Sequence, residues 1–278
     1  MAKENEVNLP DNIKCRHVDS RDSVKVVMQN TFLKKGNKIS MDMDSAVQKF
    51  IRLCIAQCKM SDNEFYEYKI SAIEMSEKFN IDIKEIYKKC DKWTDQAMSA
   101  RLIYKDEENE EFQKLNLFNS CTYKSGVLTM QLNDSMKPYF LHVKKKLGFT
   151  QYALATILGT KGRHTIPIFD IFMRELKSEY PYADKSTEIY LELDELREKT
   201  GCEKRYKNIN DFKKRVLDPS FNEIEKALNI KIEKKDVKKG RAVVGFTLTI
   251  WSVFGYARLF ENNEDEILYN YDETGSNI

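Results

Sequence analysis

Tyr206-Lys207-Asn208-Ile209-Asn210-Asp211-Phe212-Lys213-Lys214-Arg215-Val216-Leu217-Asp218-Pro219 reads as a helix with two opposed faces. At roughly 100° per residue, Ile209 and Val216 fall within about 60° of Phe212, whereas Lys207, Asn210 and Lys214 fall roughly 160° to 220° away. Lys213 and Arg215 flank the two sides, and Asn208 is placed to cap the start, where free N–H groups favour phosphate. A helix that keeps one apolar face for its own core and turns a cationic face outward suits the second helix of a helix-turn-helix unit in a major groove. On this reading Asn210 and Lys214 approach base edges, while Lys213, Arg215 and the preceding Lys204-Arg205-Tyr206-Lys207 engage phosphate. At Asp218-Pro219 the helix is expected to kink or restart, because proline lacks the N–H and Asp218 can cap a new turn.

Outward from this helix, His164 to Tyr180 has helical spacing (Ile168, Ile171, Phe172, Leu176), Glu188 to Leu191 reads as a short strand, Leu193 to Thr200 as a short helix, and Gly201 as its stop. After the helix comes a hairpin, Asn229 to Glu233 with Arg241 to Ile250, whose expected turn is Lys234 to Gly240. Lys234, Lys235, Lys238, Lys239 and Arg241 would then sit on a wing at a groove edge, although a merely solvated lysine-rich turn gives the same composition.

The same order occurs about 121 to 127 residues earlier. Asp44 to Cys58 carries Val47, Phe50, Ile51, Cys54 and Cys58 on one stripe, with Asp44 or Asp42 as cap and both thiols in the core. Tyr66 to Ile70 is a strand, and Ser71-Ala72-Ile73-Glu74 has the spacing of a capping box that opens a helix with Met75 and Phe79. A turn at Asn80 leads to a helix from Asp82 to about Ala100, with Ile83, Ile86, Tyr87, Cys90 and Ala97 inward. Alternating segments follow at Arg101 to Tyr104 and Leu115 to Leu132, broken at Ser125-Gly126. Ile70 aligns with Leu191, Met75 with Leu196 and Ile103 with Ile230, and linking helices are expected around Met136 to Leu158. The fold class is therefore α+β, two tandem winged-helix domains related by internal duplication. The expected divisions are an N-terminal segment 1–25, domain 1 at 26–145, domain 2 at 146–258 and an acidic tail at 259–278.

Charge separates the two copies. The 278 residues carry a net charge of only +2, yet Lys199 to Arg241 holds fourteen bases against seven acids, and Glu261 to Ile278 holds six acids and no base. A basic segment beside an acidic tail is the footprint of a polyanion-binding domain with a solvated terminus. In the first copy, Asp82 to Arg101 has five bases against four acids. There Lys84, Lys88 and Lys92 fit auxiliary DNA contact and a plain solvated face equally well.

Other function classes find little support. The six cysteines form no C-x-x-C pair and the three histidines are scattered, so neither a metal site nor a disulfide framework is indicated, and a reducing, cytoplasmic compartment is expected. The uncharged run Ala242 to Ala257 is too short and too rich in glycine and hydroxyl groups for a membrane span and reads as a buried strand. Gly159-Thr160-Lys161-Gly162 lacks the spacing of a phosphate-binding loop. His142 and His164 are too far apart for a nickase metal site beside a nucleophilic tyrosine, and Glu107-Glu108 with Glu110-Glu111 reads as solvated charge. No cofactor or metal is expected, and no enzymatic activity.

Several stretches resemble the iteron-binding plasmid replication initiators, the Rep_3 or RepB-like family. They are Val27-Met28-Gln29-Asn30 with Phe32-Leu33, Ile86-Tyr87-Lys88, Phe149-Thr150-Gln151-Tyr152-Ala153-Leu154 and, above all, Tyr206-Lys207-Asn208 with Asp211 to Pro219 and Glu223-Ile224. The resemblance spans about Val26 to Ile250. Gly159 to Pro167 departs from it, since relatives tend to have a Ser-Lys-Tyr-Ser-like run there. The resemblance implies a protein that binds direct repeats of origin DNA as a monomer, mainly through its second domain. It also implies self-association through the first domain, repression of its own gene by dimers, melting of adjacent DNA, and recruitment of a host initiator and helicase. A winged-helix transcription regulator and, further off, a nickase or polymerase are the rival readings.

Overall fold

The computed structural model describes residues 15–18, 24–39, 43–59, 61–106, 110–176 and 186–252. Asp42, the segments 1–10 and 177–180, the acidic residues 107–108 and the tail after Ser252 lie outside them.

The chain begins with β1 (Cys15–His17), β2 (Lys25–Gln29), α1 (Asn30–Leu33) and β3 (Asn37–Ile39), followed by α2 (Ser45–Ala56), the central helix of the first unit. Helix α2 is buried almost all round, with Val47, Phe50, Ile51 and Cys54 at 1% exposure or less. Cys54 is therefore a core thiol as expected. Cys58, just beyond the helix, is half-buried, and burial pushes its thiol up to about 12, which keeps it protonated and unreactive at neutral pH. Asp44 precedes α2 in extended geometry but does not cap it, because its carboxylate is drawn away to Lys92 Nζ at 2.9 Å and Trp93 Nε1 at 3.1 Å.

Next come β4 (Glu67–Ser71), α3 (Ala72–Phe79) and α4 (Ile83–Met98). The expected capping box opens α3: Ser71 Oγ accepts from the Glu74 N–H at 3.2 Å, and the Glu74 carboxylate accepts from the Ser71 N–H at 2.9 Å. Asn80 closes α3 in the left-handed region at φ 50°, which asparagine tolerates. On α4 the buried stripe is Ile86, Cys90, Trp93 and Ala97. Tyr87 is 54% exposed, not inward as its place on the stripe suggested, and it meets Tyr123 edge-on with ring centres 6.3 Å apart. Trp93 takes the inner position because it is one heptad from Ile86.

Four strands follow: β5 (Arg101–Asp106), β6 (Glu111–Asn116), β7 (Phe118–Lys124) and β8 (Val127–Leu132). The hairpin β7–β8, turning at Ser125-Gly126, joins β4 in the order β1-β4-β8-β7, while β5 and β6 form a separate sheet with β3. Met130 of β8 lies opposite Tyr68 and Cys121. Leu248 in the second unit lies opposite Ile189 and Lys234 in the same way. The strand equivalent to the one that begins at Ile230 is thus β7, so the match of Ile103 with Ile230 fails, and β5–β6 is an extra hairpin of the first unit. Alternation shows that a segment is extended, but not which strand it pairs with.

The connection between the units is less helical than expected. Short α5 (Lys137–Phe140) and α6 (Ala155–Leu158) flank β9 (Phe149–Ala153), which pairs antiparallel with β2 and so brings Val26 opposite Tyr152. Helix α7 (Thr165–Leu176) then packs on α2 through a buried ion pair, Arg52 with Asp170, whose carboxylate also accepts from Tyr152 Oη at 2.6 Å. Burying a carboxylate is tolerable here because both of its oxygens are satisfied.

The second unit contains β10 (Thr187–Glu192), α8 (Leu193–Lys199), α9 (Ile209–Phe212), a π-helical turn Lys213–Leu217, α10 (Asp218–Leu228), β11 (Ile230–Lys239) and β12 (Ala242–Ser252), with strand order β10-β12-β11. The uncharged run from Ala242 is indeed a central strand as far as Ser252, and no helix among the described residues is long and apolar enough to cross a membrane. The segment Leu33 to Lys38 of the first unit docks on α7 and α8. Arg174 donates to the Leu33 carbonyl at 2.7 Å, Glu198 accepts from the Gly36 N–H at 3.2 Å, and Lys199 Nζ donates to the Lys34 carbonyl at 2.7 Å and to that of Asn37.

Candidate nucleic-acid interface

Asn208 opens the expected reading helix as predicted, its side chain accepting from the Asn210 N–H at 2.9 Å. Phe212, Val216 and Leu217 are all at 1% exposure or less, while Lys207, Asn210, Lys214 and Arg215 are exposed. Leu217 would lie roughly 140° from Phe212 on an unbroken α-helix, well off the buried face. It is buried because the intervening turn is π-helical. The Asp218 N–H reaches back five residues to the Lys213 carbonyl, and the extra residue per turn brings Val216 and Leu217 inward together.

The same turn explains why the helix does not restart at Pro219. Asp218 and Leu217 keep right-handed helical torsions, and no side chain caps the junction. The missing proline N–H falls where the α-pattern is already interrupted, so the helix runs on through α10. Asp218 is left free for another role and accepts from Lys234 Nζ.

The wing differs from expectation in a way that matters for the site. Lys234 to Lys239 are not a turn but the outer half of β11, and the reversal is Gly240-Arg241, with Gly240 at φ 63°. A register shift between Val237 and Lys238 bends the hairpin near its tip. Strand geometry separates the lysines onto two faces. Lys234 points toward the reading helix, its ammonium 5.9 Å from the Phe221 ring centre and 5.7 Å from that of Phe246. Lys213 approaches from the helix side and pairs with Asp236 at 2.5 Å. Both lysines are largely covered, at 20% exposure for Lys213 and 18% for Lys234, and they fasten the helix to the wing. Lys235, Lys238, Lys239 and Arg241 are exposed on the strand and tip.

The loop before the helix is held by a residue that pattern reading passed over. Arg197 of α8 donates to the carbonyls of Cys202 at 3.3 Å, Arg205 at 3.1 Å and Tyr206 at 3.0 Å, and its guanidinium lies 4.5 Å from the Phe212 ring centre. This fan of bonds bends the loop so that Lys204, Arg205 and Lys207 are exposed, with Tyr206 forced to φ 49° and facing Arg215. A planar guanidinium can serve several carbonyls at once, which an ammonium cannot do with the same geometry. The only sequence trace of this role is an arginine in the last turn of a helix just before a basic loop.

A second overlooked contact orders Gly159 to Pro167, the stretch that departs from the family pattern. Glu223 of α10 accepts from the N–H groups of Lys161 and Gly162 at 3.0 Å each and from Thr165 Oγ1 at 2.5 Å, closing the start of α7. A Cβ on Gly162 would sit 2.5 Å from Thr165 Oγ1 and 3.1 Å from the Glu223 carboxylate, so a larger residue there would have to displace the hydroxyl from this bond. Beside it, His164 is pushed down to about 4 by burial and by the neighbouring Arg163 and Arg205, which keeps it neutral.

In the first unit, Lys84 and Lys88 are exposed along α4, but Lys92 is taken by Asp44. Lys89 is likewise engaged by Glu85 at 2.5 Å. The cationic face is therefore thinner there than on the second unit. Among the described residues there is no cluster of three or more potential metal ligands.

A solved structure with this fold is the crystal structure of Pi initiator protein in complex with iteron DNA. It aligns with a TM-score of 0.68 at 16% identity over 84% of this chain and all of that one. Two family models cover the sequence in the order the fold shows. The model of the first winged helix of the initiator replication proteins matches residues 25–173, and that of the second matches residues 192–250. With more than half of the chain inside the first match alone and both winged helices in place, the chain belongs to the initiator replication protein family.

Proposed function

We propose that this initiator binds direct repeats, iterons, in plasmid origin DNA, with the second winged helix as its principal reader. The observation that carries this reading is the division of labour on one helix. Phe212, Val216 and Leu217 are buried, while Asn210, Lys214 and Arg215 stand outward between the basic loop and the wing. Side chains of these types suit base edges and phosphates respectively. The complex of Pi initiator protein with iteron DNA supports the same choice of ligand. Residues 26–145 serve self-association and auxiliary backbone contact through Lys84 and Lys88, and residues 146–258 carry the reading surface. Bound to its repeats in the cytoplasm, the protein promotes opening of adjacent DNA and recruits a host initiator and helicase, and its dimers repress its own gene. It performs no chemistry on the DNA.

Footprinting on the DNA beside the gene, joined to a test of whether that segment replicates when the protein is supplied, decides the matter. Protection of tandem repeats with replication is the expected outcome. A lone protected inverted repeat without replication would make the protein a transcription regulator. Metal-dependent nicking of supercoiled origin DNA, lost on mutation of one tyrosine, would make it an enzyme.

A further inference from the structure

The second unit treats its cations in two ways. Lys213 and Lys234 are paired with Asp236 and Asp218. Lys204, Arg205, Lys207, Lys214 and Arg215 are exposed, and none is ion-paired with a carboxylate among the described residues. The one acid among residues 204–215 is the exposed Asp211, so a face with an excess of positive charge remains along this helix and its leading loop.

An acidic segment of the same chain starts within reach of that face. Ser252, the last residue of β12, lies opposite Ile230, next to Asn229 at the C-terminal end of the reading helix. Eight residues separate Ser252 from Glu261, and Glu261, Glu264, Asp265, Glu266, Asp272 and Glu273 follow without an intervening base. The helix from Ile209 to Leu228 is about 30 Å long at 1.5 Å per residue. The nine extended steps from Ser252 to Glu261 also span about 30 Å. The acids can therefore be laid anywhere along the cationic face, and Tyr269 and Tyr271 among them offer rings to guanidinium groups.

We propose that the segment Glu261 to Glu273 docks on the cationic face of the reading helix and competes there with DNA phosphates. The inference rests on the reading of this face as the DNA surface. A tethered segment acts at millimolar effective concentration, while each exposed ion pair is weak. Occupancy is accordingly partial, and DNA affinity is lowered two- to tenfold rather than abolished. The acids compete for phosphate contacts, so repeat DNA and unrelated duplex are affected alike, and salt removes the effect.

The test compares the full chain with a full-length variant that carries Glu261→Gln, Glu264→Gln, Asp265→Asn, Glu266→Gln, Asp272→Asn and Glu273→Gln. Thermal unfolding confirms that both fold. Anisotropy titrations with a labelled duplex at about 50 mM and about 300 mM salt read the effect. Two- to tenfold tighter binding by the variant at low salt, closing at high salt, is expected. A synthetic peptide of residues 259–278 should also inhibit the variant in trans. Equal affinities at low salt, or weaker binding by the variant, would overturn the docking and point the acids at another partner. Absence of duplex binding by both proteins would overturn the DNA reading itself, and this inference with it.

Discussion

Lys213 of the reading helix and Asp236 of the wing strand form an ion pair of 2.5 Å, with the ammonium 5.7 Å from the centre of the buried Phe246 ring. The pair joins the helix to the wing strand, the two elements proposed to meet DNA, so it is expected to govern their relative position more than either contact. Lys213→Ala is expected to cost about 1 kcal/mol of stability, because the pair is partly shielded from solvent. Its effect on DNA affinity should be smaller than that of Lys214→Ala. Chemical denaturation and binding titrations on the two variants check this, and the reverse order would restore Lys213 to direct phosphate contact.

Lys214 and Arg215 carry the main expectation for the site. Either alanine variant should lose about 1 to 3 kcal/mol of binding to a single repeat with its fold intact. Loss of discrimination at one base position would identify a base reader, and uniform weakening a phosphate clamp. Lys88→Ala should matter much less on one repeat. If Lys88→Ala abolished binding while the other two did not, the reading domain would be the first.

Arg197 is expected to act without touching DNA. Arg197→Ala should destabilise the second unit by about 1 to 3 kcal/mol, since several carbonyls lose a charged donor. Arg197→Lys should recover only part of that, and DNA affinity should track the recovery. Full rescue by lysine would show that charge alone matters there.

His164 makes stability fall in acid. Its value is about 4 in the fold against 6.5 for an unperturbed imidazole, so the unfolded chain binds a proton that the folded chain refuses. Its contribution is whole above pH 6.5 and is lost as pH drops toward 4, amounting to about 2 kcal/mol after allowance for partial solvent access. His164→Asn should flatten this part of the profile. Unfolding free energies of both proteins between pH 7 and pH 4.5 provide the measurement, and parallel profiles would remove His164 from the account.

If the exposed lysines and arginines of the second unit engage phosphate as proposed, log affinity should fall steeply and linearly with log salt, at about 0.9 per neutralised phosphate. Titrations across a salt series measure the slope. An affinity indifferent to salt would remove the cationic face as the binding surface.

Where information was local, the sequence was easy to read. The Ser71/Glu74 capping box, the Asn208 cap and the buried positions of Phe212 and Val216 each follow from residues within one or two turns. What escaped was non-local. Nothing near Arg101 to Asp106 says that it pairs with β3 rather than forming the wing, because the partner is more than sixty residues away. Lys234 to Lys239 reads as a loop because lysine is common in loops, yet it is a strand whose Lys234 leans on Phe221 and Phe246. Arg197 and Glu223 work on backbone groups, and backbone groups leave no signature in a sequence.

The π-helical turn at Lys213 to Leu217 separates the aim of the helix from its anchorage. Phe221, Ile224 and Leu228 fix α10 to the core on one side of the turn, while Asn210 stands on the other. The angle at which Asn210 faces outward is thus set by one additional residue in the turn. Losing that residue would restore an ordinary α-helix and swing the leading segment by roughly 100°. Because Phe212 lies in that leading segment and Val216 and Leu217 in the turn itself, the swing would also pull these side chains out of the core, so the hydrophobic interior holds the additional residue in place and with it the outward aim of Asn210.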